Sequence, residues 1–165
     1  MGKIFTINWP KLEKAVEAEL NEDQDRELRE SFWNALPFSS IQSHAVCAGL
    51  QMYAPFRSVC LPSNPKYEPM NEQAVGRVNL ELDFQYLAIN YGPMSEPVPA
   101  LPIAQIRDED IEEIKQIGKM AWENLLFNAE FIMVHFDIKE GKRLHGYPIP
   151  TQGVDQGRDR RNLAH

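Results

Sequence analysis

The chain has 165 residues, enough for one domain with one core, and its 43% hydrophobic and 25% charged residues are ordinary for a globular protein. A formal charge of -7 argues against general phosphate-backbone binding, which draws its free energy from Lys and Arg displacing counterions, so no nucleic-acid partner is expected. No apolar run reaches the length of a membrane span and Met1-Gly2-Lys3 leads into a strand-like segment rather than a signal-peptide core, so no membrane partner and a cytoplasmic location are expected. Two cysteines, Cys47 and Cys60, with no Cys-x-x-Cys motif, read as reduced thiols.

In chain order, Lys3 to Pro10 places Phe5, Ile7 and Trp9 on one side, and Lys14 to Leu20 does the same with Val16, Ala18 and Leu20, which predicts a hairpin. Asn21 with Gln24 at its third position is a variant capping box for a helix whose buried stripe is Leu28, Phe32, Ala35 and Leu36, stopped by Pro37. A strand is expected from Ser40 to about Ala48, broken at Gly49, then a second extended piece from Gln51 to Leu61. Pro62 to Ala74, with three prolines, reads as a surface loop able to fold over a site.

From Arg77 onward Val78, Leu80, Leu82, Phe84 and Tyr86 alternate with polar residues, predicting one half-buried strand. Leu87 to Tyr91 is its expected partner, with Gly92-Pro93 as a turn, and Pro93 to Pro102 reads as an extended connector. Asp108 is the expected cap of a second helix with Ile111, Ile114, Gly118, Ala121 and Leu125 on one face, Gly118 allowing close packing on a sheet. Phe131 to Phe136 is a late strand. The expected organisation is one domain over residues 1–140 and a poorly ordered tail over 141–165. This order of elements argues for an antiparallel-dominated α+β domain, a curved sheet or barrel covered by helices; alternation alone leaves open sheet and closed barrel equally available.

The familiar catalytic signatures are missing: the sequence has no phosphate loop, no Gly-x-Gly-x-x-Gly, no His-Glu-x-x-His and no Gly-x-Ser-x-Gly. His44, His135, His145 and His165 are too far apart in sequence to suggest metal-ligand spacing, so no metal is expected. Ser40, Gln42 and His44 share one strand face. His44 is the best general acid or base, because imidazole titrates near neutrality unaided, and Gln42 beside it can orient a carbonyl or carboxylate. On periodicity alone, a strand histidine hydrogen-bonded in a barrel wall is the plainer reading. Tyr53 and Arg57 follow on the next extended piece along one face, suited to binding an acid, although packing for Tyr53 and a solvated edge for Arg57 are the commoner fates. Tyr91, before Gly92, is expected to present its hydroxyl at a strand end. Glu81 and Asp83 fall on one strand face, where a solvated polar surface explains them most cheaply. Trp33, Trp122 and His135 read as core.

Trp33-Asn34-Ala35-Leu36-Pro37-Phe38, the stretch through His44, and its continuation in Gly49, Met52, Tyr53 and Pro55 resemble a family of small cyclophilin-like bacterial proteins that includes the cucumopine synthases. Tyr91-Gly92 and Gly118 ahead of Trp122 extend the resemblance over most of Lys3 to Asp137. The resemblance implies a cyclophilin-like small antiparallel β-barrel closed by two helices. It also implies an opine-forming enzyme that joins L-histidine to 2-oxoglutarate by a Pictet–Spengler condensation with no cofactor, which agrees with the absence of dinucleotide motifs. Small-molecule partners, an amino acid and a keto acid, and possible homo-oligomers go with it. His44 and Tyr53 then become the expected catalytic residues and Gln42, Arg57 and Tyr91 the expected substrate-binding residues, with Arg77 and Lys66 as weaker cationic candidates. The alternatives are a noncatalytic small-acid binding module, another cofactor-free condensation or lyase reaction and, ranked lowest for lack of a Phe-His-Arg segment, a peptidyl-prolyl isomerase.

Overall fold

A computed structural model describes residues 2–139. The expected tail over 141–165 lies outside the described residues. The elements in order are β1 (Ile4–Trp9), β2 (Lys14–Leu20), α1 (Arg26–Ala35), β3 (Phe38–Ile41), β4 (Ser43–His44), β5 (Gly49–Pro55), β6 (Glu68–Pro69), β7 (Arg77–Glu81), β8 (Tyr86–Met94), β9 (Pro99–Ala100), β10 (Pro102–Ile106), α2 (Ile111–Glu123) and β11 (Met133–Ile138). Nine strands form one antiparallel sheet in the order β3-β11-β1-β2-β10-β7-β8-β5-β4, and β6 pairs with β9 in a separate two-stranded ribbon.

The two ends of the long sheet, β3 and β4, are consecutive in sequence and joined through Gln42, so the sheet bends back on itself into a nearly closed barrel. The seam is held by side chains: Ser40 Oγ donates to the Pro55 carbonyl (2.6 Å) and Gln42 Nε2 to the Tyr53 carbonyl (2.9 Å). Strand alternation sends Phe5, Ile7, Trp9, Val78, Leu80, Leu87 and Ile89 inward, all at most 2% exposed. Phe32 of α1 joins this interior edge-on to Phe5, with ring centroids 5.0 Å apart, and α2 inserts Ile114, Ile117 and Ala121.

The β1–β2 hairpin follows the sequence reading, and so do the helix faces in the main: Leu28, Phe32 and Leu36 are buried but Ala35 is exposed, and Ile114, Gly118 and Ala121 are buried but Leu125 lies exposed beyond the end of α2. Further expectations need correction. Helix α1 is capped by Asp25, whose Oδ1 accepts from the Leu28 amide; Asn21 continues past β2, and Gln24 is buried, donating to the Lys66 and Pro102 carbonyls. The strand expected over Arg77–Tyr86 stops at Glu81, and Leu82–Gln85 is a four-residue turn. The expected turn at Gly92-Pro93 is instead the continuation of β8, where the ladder with β7 has already ended at Asn90 and an imino residue costs no β7 hydrogen bond. The proline-rich connector hides β10, a central strand between β2 and β7 whose first residue is Pro102. His135, expected in the core, lies on the outward face of β11 with Nδ1 2.5 Å from Ser39 Oγ.

Candidate active site

The ladders β5–β8–β7 place Pro55, Tyr86 and Glu81 in one row, Tyr53, Ala88 and Asn79 in the next, and Gln51, Asn90 and Arg77 in a third. All nine point to the outer face of the barrel, because the alternating Met52, Ala54, Val78, Leu80, Leu87, Ile89 and Tyr91 fill the interior. Pairing of β4 with β5 sets Ser43 opposite Tyr53 and His44 opposite Met52, so His44 faces inward.

A strap over residues 62–76 covers part of that outer face. It is tied to α1 by the Asn64 amide donating to Asp25 Oδ2 (2.8 Å) and the Lys66 amide to Gln24 Oε1 (2.9 Å). Farther along, Arg77 makes a two-point ion pair with Glu68 (2.9 and 2.7 Å), and the Gln73 carboxamide exchanges hydrogen bonds with Asn79 (2.8 and 2.9 Å) and accepts one from Asn90 (2.7 Å). Gln51 donates to Asn90 Oδ1 (2.9 Å), which completes a buried amide network in which every member is partnered. Arg77 is therefore committed to Glu68, and Lys66 meets Gln24 through its backbone.

Past the strap, the same face ends in a different kind of surface. Glu81 is half-buried, and its Oε1 is out of water with no hydrogen-bond partner among the described residues. Burial first, and the Asp83 carboxylate second, raise its pKa to about 7. Tyr86 stands directly opposite on β8, its hydroxyl pushed upward in pKa by burial and by the neighbouring Glu81 and Tyr53. The Tyr53 and Tyr86 rings lie 4.9 Å apart, and Phe84, 69% exposed at the tip of the turn, stacks on Tyr86 at 5.6 Å and 16°. Arg57 is exposed on the segment just beyond β5, between the buried Phe56 and Ser58, and continues the alternation that put Tyr53 on this face. Gathered here are a carboxyl able to give or take a proton near neutrality, an aromatic wall and a cation.

The remaining expected site residues are on the other side of the sheet. His44 is 2% exposed; its Nδ1 lies 2.5 Å from the Ala45 carbonyl and its Nε2 2.6 Å from the Tyr91 hydroxyl. The carbonyl requires Nδ1–H as donor; in the neutral ring, which burial favours, Nε2 accepts from the Tyr91 hydroxyl, so both nitrogens are occupied. Burial lowers its pKa, partly countered by the Ala45 bond. Trp122 packs over the ring at 4.8 Å, and both rings line a cleft of about 320 Å³ with Val46, Cys47, Leu50 and Ser95. Trp122 is thus partly exposed packing on α2. Gln42 spends its amide on the barrel seam: Oε1 accepts from Trp9 Nε1 (2.8 Å), and Nε2 donates to the Ser43 (3.0 Å) and Tyr53 carbonyls. Of the expected site residues, His44 and Tyr91 meet on the inner face, while Tyr53 lies on the outer face and Arg57 is exposed on the segment beyond β5. The hollow beside His44 is the cleft toward Val46, Cys47, Leu50 and Ser95, and Gln42 does not line it.

Glu81 is the residue that strand alternation misread. Placed mid-strand it is a solvated carboxylate; placed opposite Tyr86 at the end of a hairpin it is half-buried, with Oε1 out of water. The turn over Leu82–Gln85 has Asp83 as its one common turn residue, and the regular alternation of Asp83 with Leu82 and Phe84 masks it.

No family model and no curated protein matches the chain. Among solved structures, McbB in complex with tryptophan superposes with a TM-score of 0.75 at 27% identity, covering 92% of this chain. This chain spans half the length of the McbB chain, at 50%. A hypothetical protein from Archaeoglobus fulgidus, AF2241, solved in solution, shares the fold with a TM-score of 0.55 at 13% identity, over 84% of this chain and 95% of its own. The chain therefore has a barrel fold related to that of McbB.

Proposed function

We propose that the protein is a Pictet–Spengler-type condensing enzyme that joins an aromatic amino acid to a carbonyl compound on the outer face of the barrel, with Glu81 moving the protons. The observation that carries this reading is the Glu81 carboxyl, unpartnered at Oε1 and poised at a pKa of about 7 beside two tyrosines. The likeness to McbB, a protein solved with an aromatic amino acid bound, supports the substrate class. The resemblance in sequence to cyclophilin-like cucumopine synthases supports the reaction and narrows the pair to L-histidine and 2-oxoglutarate, giving cucumopine.

In this reaction the amine adds to the carbonyl carbon and the resulting carbinolamine loses water to give an iminium ion. A ring carbon of the amino acid's aromatic side chain then attacks the iminium carbon, forming the new C–C bond. Loss of the proton on that ring carbon restores aromaticity. No electrons are exchanged with an external donor, so no hydride carrier enters the balance. A carboxyl that is half protonated near pH 7 serves both halves, protonating the leaving hydroxyl and then removing the ring proton. Tyr53, Tyr86 and Phe84 supply the flat surface against which the aromatic ring stacks, and Arg57 meets a substrate carboxylate. Burial, with the Asp83 charge second, keeps the Glu81 pKa high. His44, Gln42 and Tyr91 support the barrel beneath this surface.

Glu81→Gln, which keeps the shape and removes the titrating proton, should lower turnover by roughly 10²- to 10⁴-fold, read as product formation by mass spectrometry. Retained turnover in that variant removes Glu81 from the chemistry.

A further inference from the structure

The turn that follows Glu81 contains a device whose purpose the reaction alone does not explain. Gln85 is held at a φ of 56°, a conformation that residues with a side chain rarely adopt. From there it makes three hydrogen bonds. Its carbonyl accepts from the Phe56 amide (2.9 Å), its Oε1 accepts from the Ser58 amide (2.8 Å), and its Nε2 donates to the Leu82 carbonyl (2.7 Å). The last two fix the orientation of the carboxamide, since an amide can only donate and a carbonyl only accept. The first two bracket one residue, Arg57.

Phe56 is anchored in the core against Phe38, with ring centroids 4.8 Å apart, and Ser58 is buried, so the backbone on both sides of Arg57 is pinned while its side chain is left in the open. No strand pairing holds this segment, because β5 has ended at Pro55. Resting on the reading of Glu81 given above, we infer that Gln85 is a positioning residue: it sets the reach between the Arg57 guanidinium and the Glu81 carboxyl, and so selects carbonyl partners that carry a carboxylate. A shorter amide cannot bridge both the turn and the neighbouring segment. An unbridged Arg57 would sample many positions and pay ordering entropy each time it met its anion.

The test uses the full chain as wild type, Gln85→Met, Gln85→Gly, Arg57→Gln and the Gln85→Met/Arg57→Gln double variant. Gln85→Gly removes the side-chain bonds but suits the positive φ, so it keeps the test open if the methionine variant folds poorly. Calorimetric affinity for 2-oxoglutarate is measured alongside condensation of L-histidine with 2-oxoglutarate and with butyraldehyde, which has no carboxylate. Either Gln85 variant should weaken 2-oxoglutarate binding and raise its KM by roughly tenfold, as expected for loss of one well-placed charge-assisted contact. The KM for butyraldehyde should stay unchanged, and the double variant should be no weaker than Arg57→Gln alone. Equal losses with both carbonyl compounds, additivity in the double variant, or no binding of 2-oxoglutarate by the wild type would each overturn the inference. Should the wild type bind 2-oxoglutarate yet form no product with any amine, the condensation reading fails while the calorimetric arm still decides the role of Gln85.

Discussion

Glu81 costs stability at the pH where it would be most useful as a base. Its folded pKa of about 7 lies above the ordinary carboxylate value of 4.5, so the native state holds the protonated form more firmly than the unfolded chain does. Its favourable contribution is complete below pH 4.5 and is lost as pH rises through 7. Glu81→Gln should therefore raise stability above pH 7 by about 1–3 kcal/mol, with the gap from wild type closing toward pH 4.5, as read by denaturant titration at the two pH values. A gain in stability paired with a loss of turnover is the signature of a group kept for function. Asp83 adjusts the same titration. Because its negative charge helps to raise the Glu81 pKa, Asp83→Asn should move the rising limb of the rate–pH profile to lower pH, by up to about one unit. Burial is the larger cause, so the midpoint should remain above 4.5; an unmoved profile would mean that another group governs the rate.

The β7–β8 hairpin and helix α2 illustrate what local pattern can and cannot reveal. Alternation identified the buried face correctly at Val78 and Leu80, yet it ran straight through Leu82–Gln85 and so assigned Phe84 and Tyr86 to the same face, because a turn closed by a glutamine side chain looks like continuing strand. Proline density concealed β10 for the converse reason: Pro102 opens the strand, and Ile103 to Ile106 follow in regular ladders. Gly118, by contrast, was legible as a point of close approach. A methyl group there would overlap the ring of Tyr91, whose hydroxyl partners His44. Gly118→Ala should therefore destabilise the fold by about 1–3 kcal/mol despite alanine's better helix propensity, measured as a fall in the unfolding midpoint. A neutral or stabilising result would show that α2 shifts freely on the barrel.

Closure of the barrel explains why His44 and Gln42 face away from Tyr53 and Glu81. Ser40, Gln42 and His44 do share a face, as alternation required, but that face looks into the core once β3 and β4 become the two edges of one sheet. A single sequence does not show which side of a strand will be enclosed, since that depends on pairings made 30 or more residues away, such as Trp9 with Gln42, where the separation is 33. Gln42→Leu should leave the Trp9 N–H and the Tyr53 and Ser43 carbonyls without this partner and cost about 2–4 kcal/mol, seen as a lowered thermal midpoint. Condensing activity should persist at temperatures where the variant is folded, because the amide serves the seam and not the substrate. The same closure turns Tyr53, Tyr86 and Glu81 outward together, and the account rests on that cluster. The most direct trial incubates purified wild type and Glu81→Gln with 2-oxoglutarate and either L-histidine or L-tryptophan, without nicotinamide, and follows by mass spectrometry the product equal to both substrates less one water. The account predicts product from the wild type with at least one amine and almost none from the variant; equal product from both proteins, or none from the wild type, would contradict it.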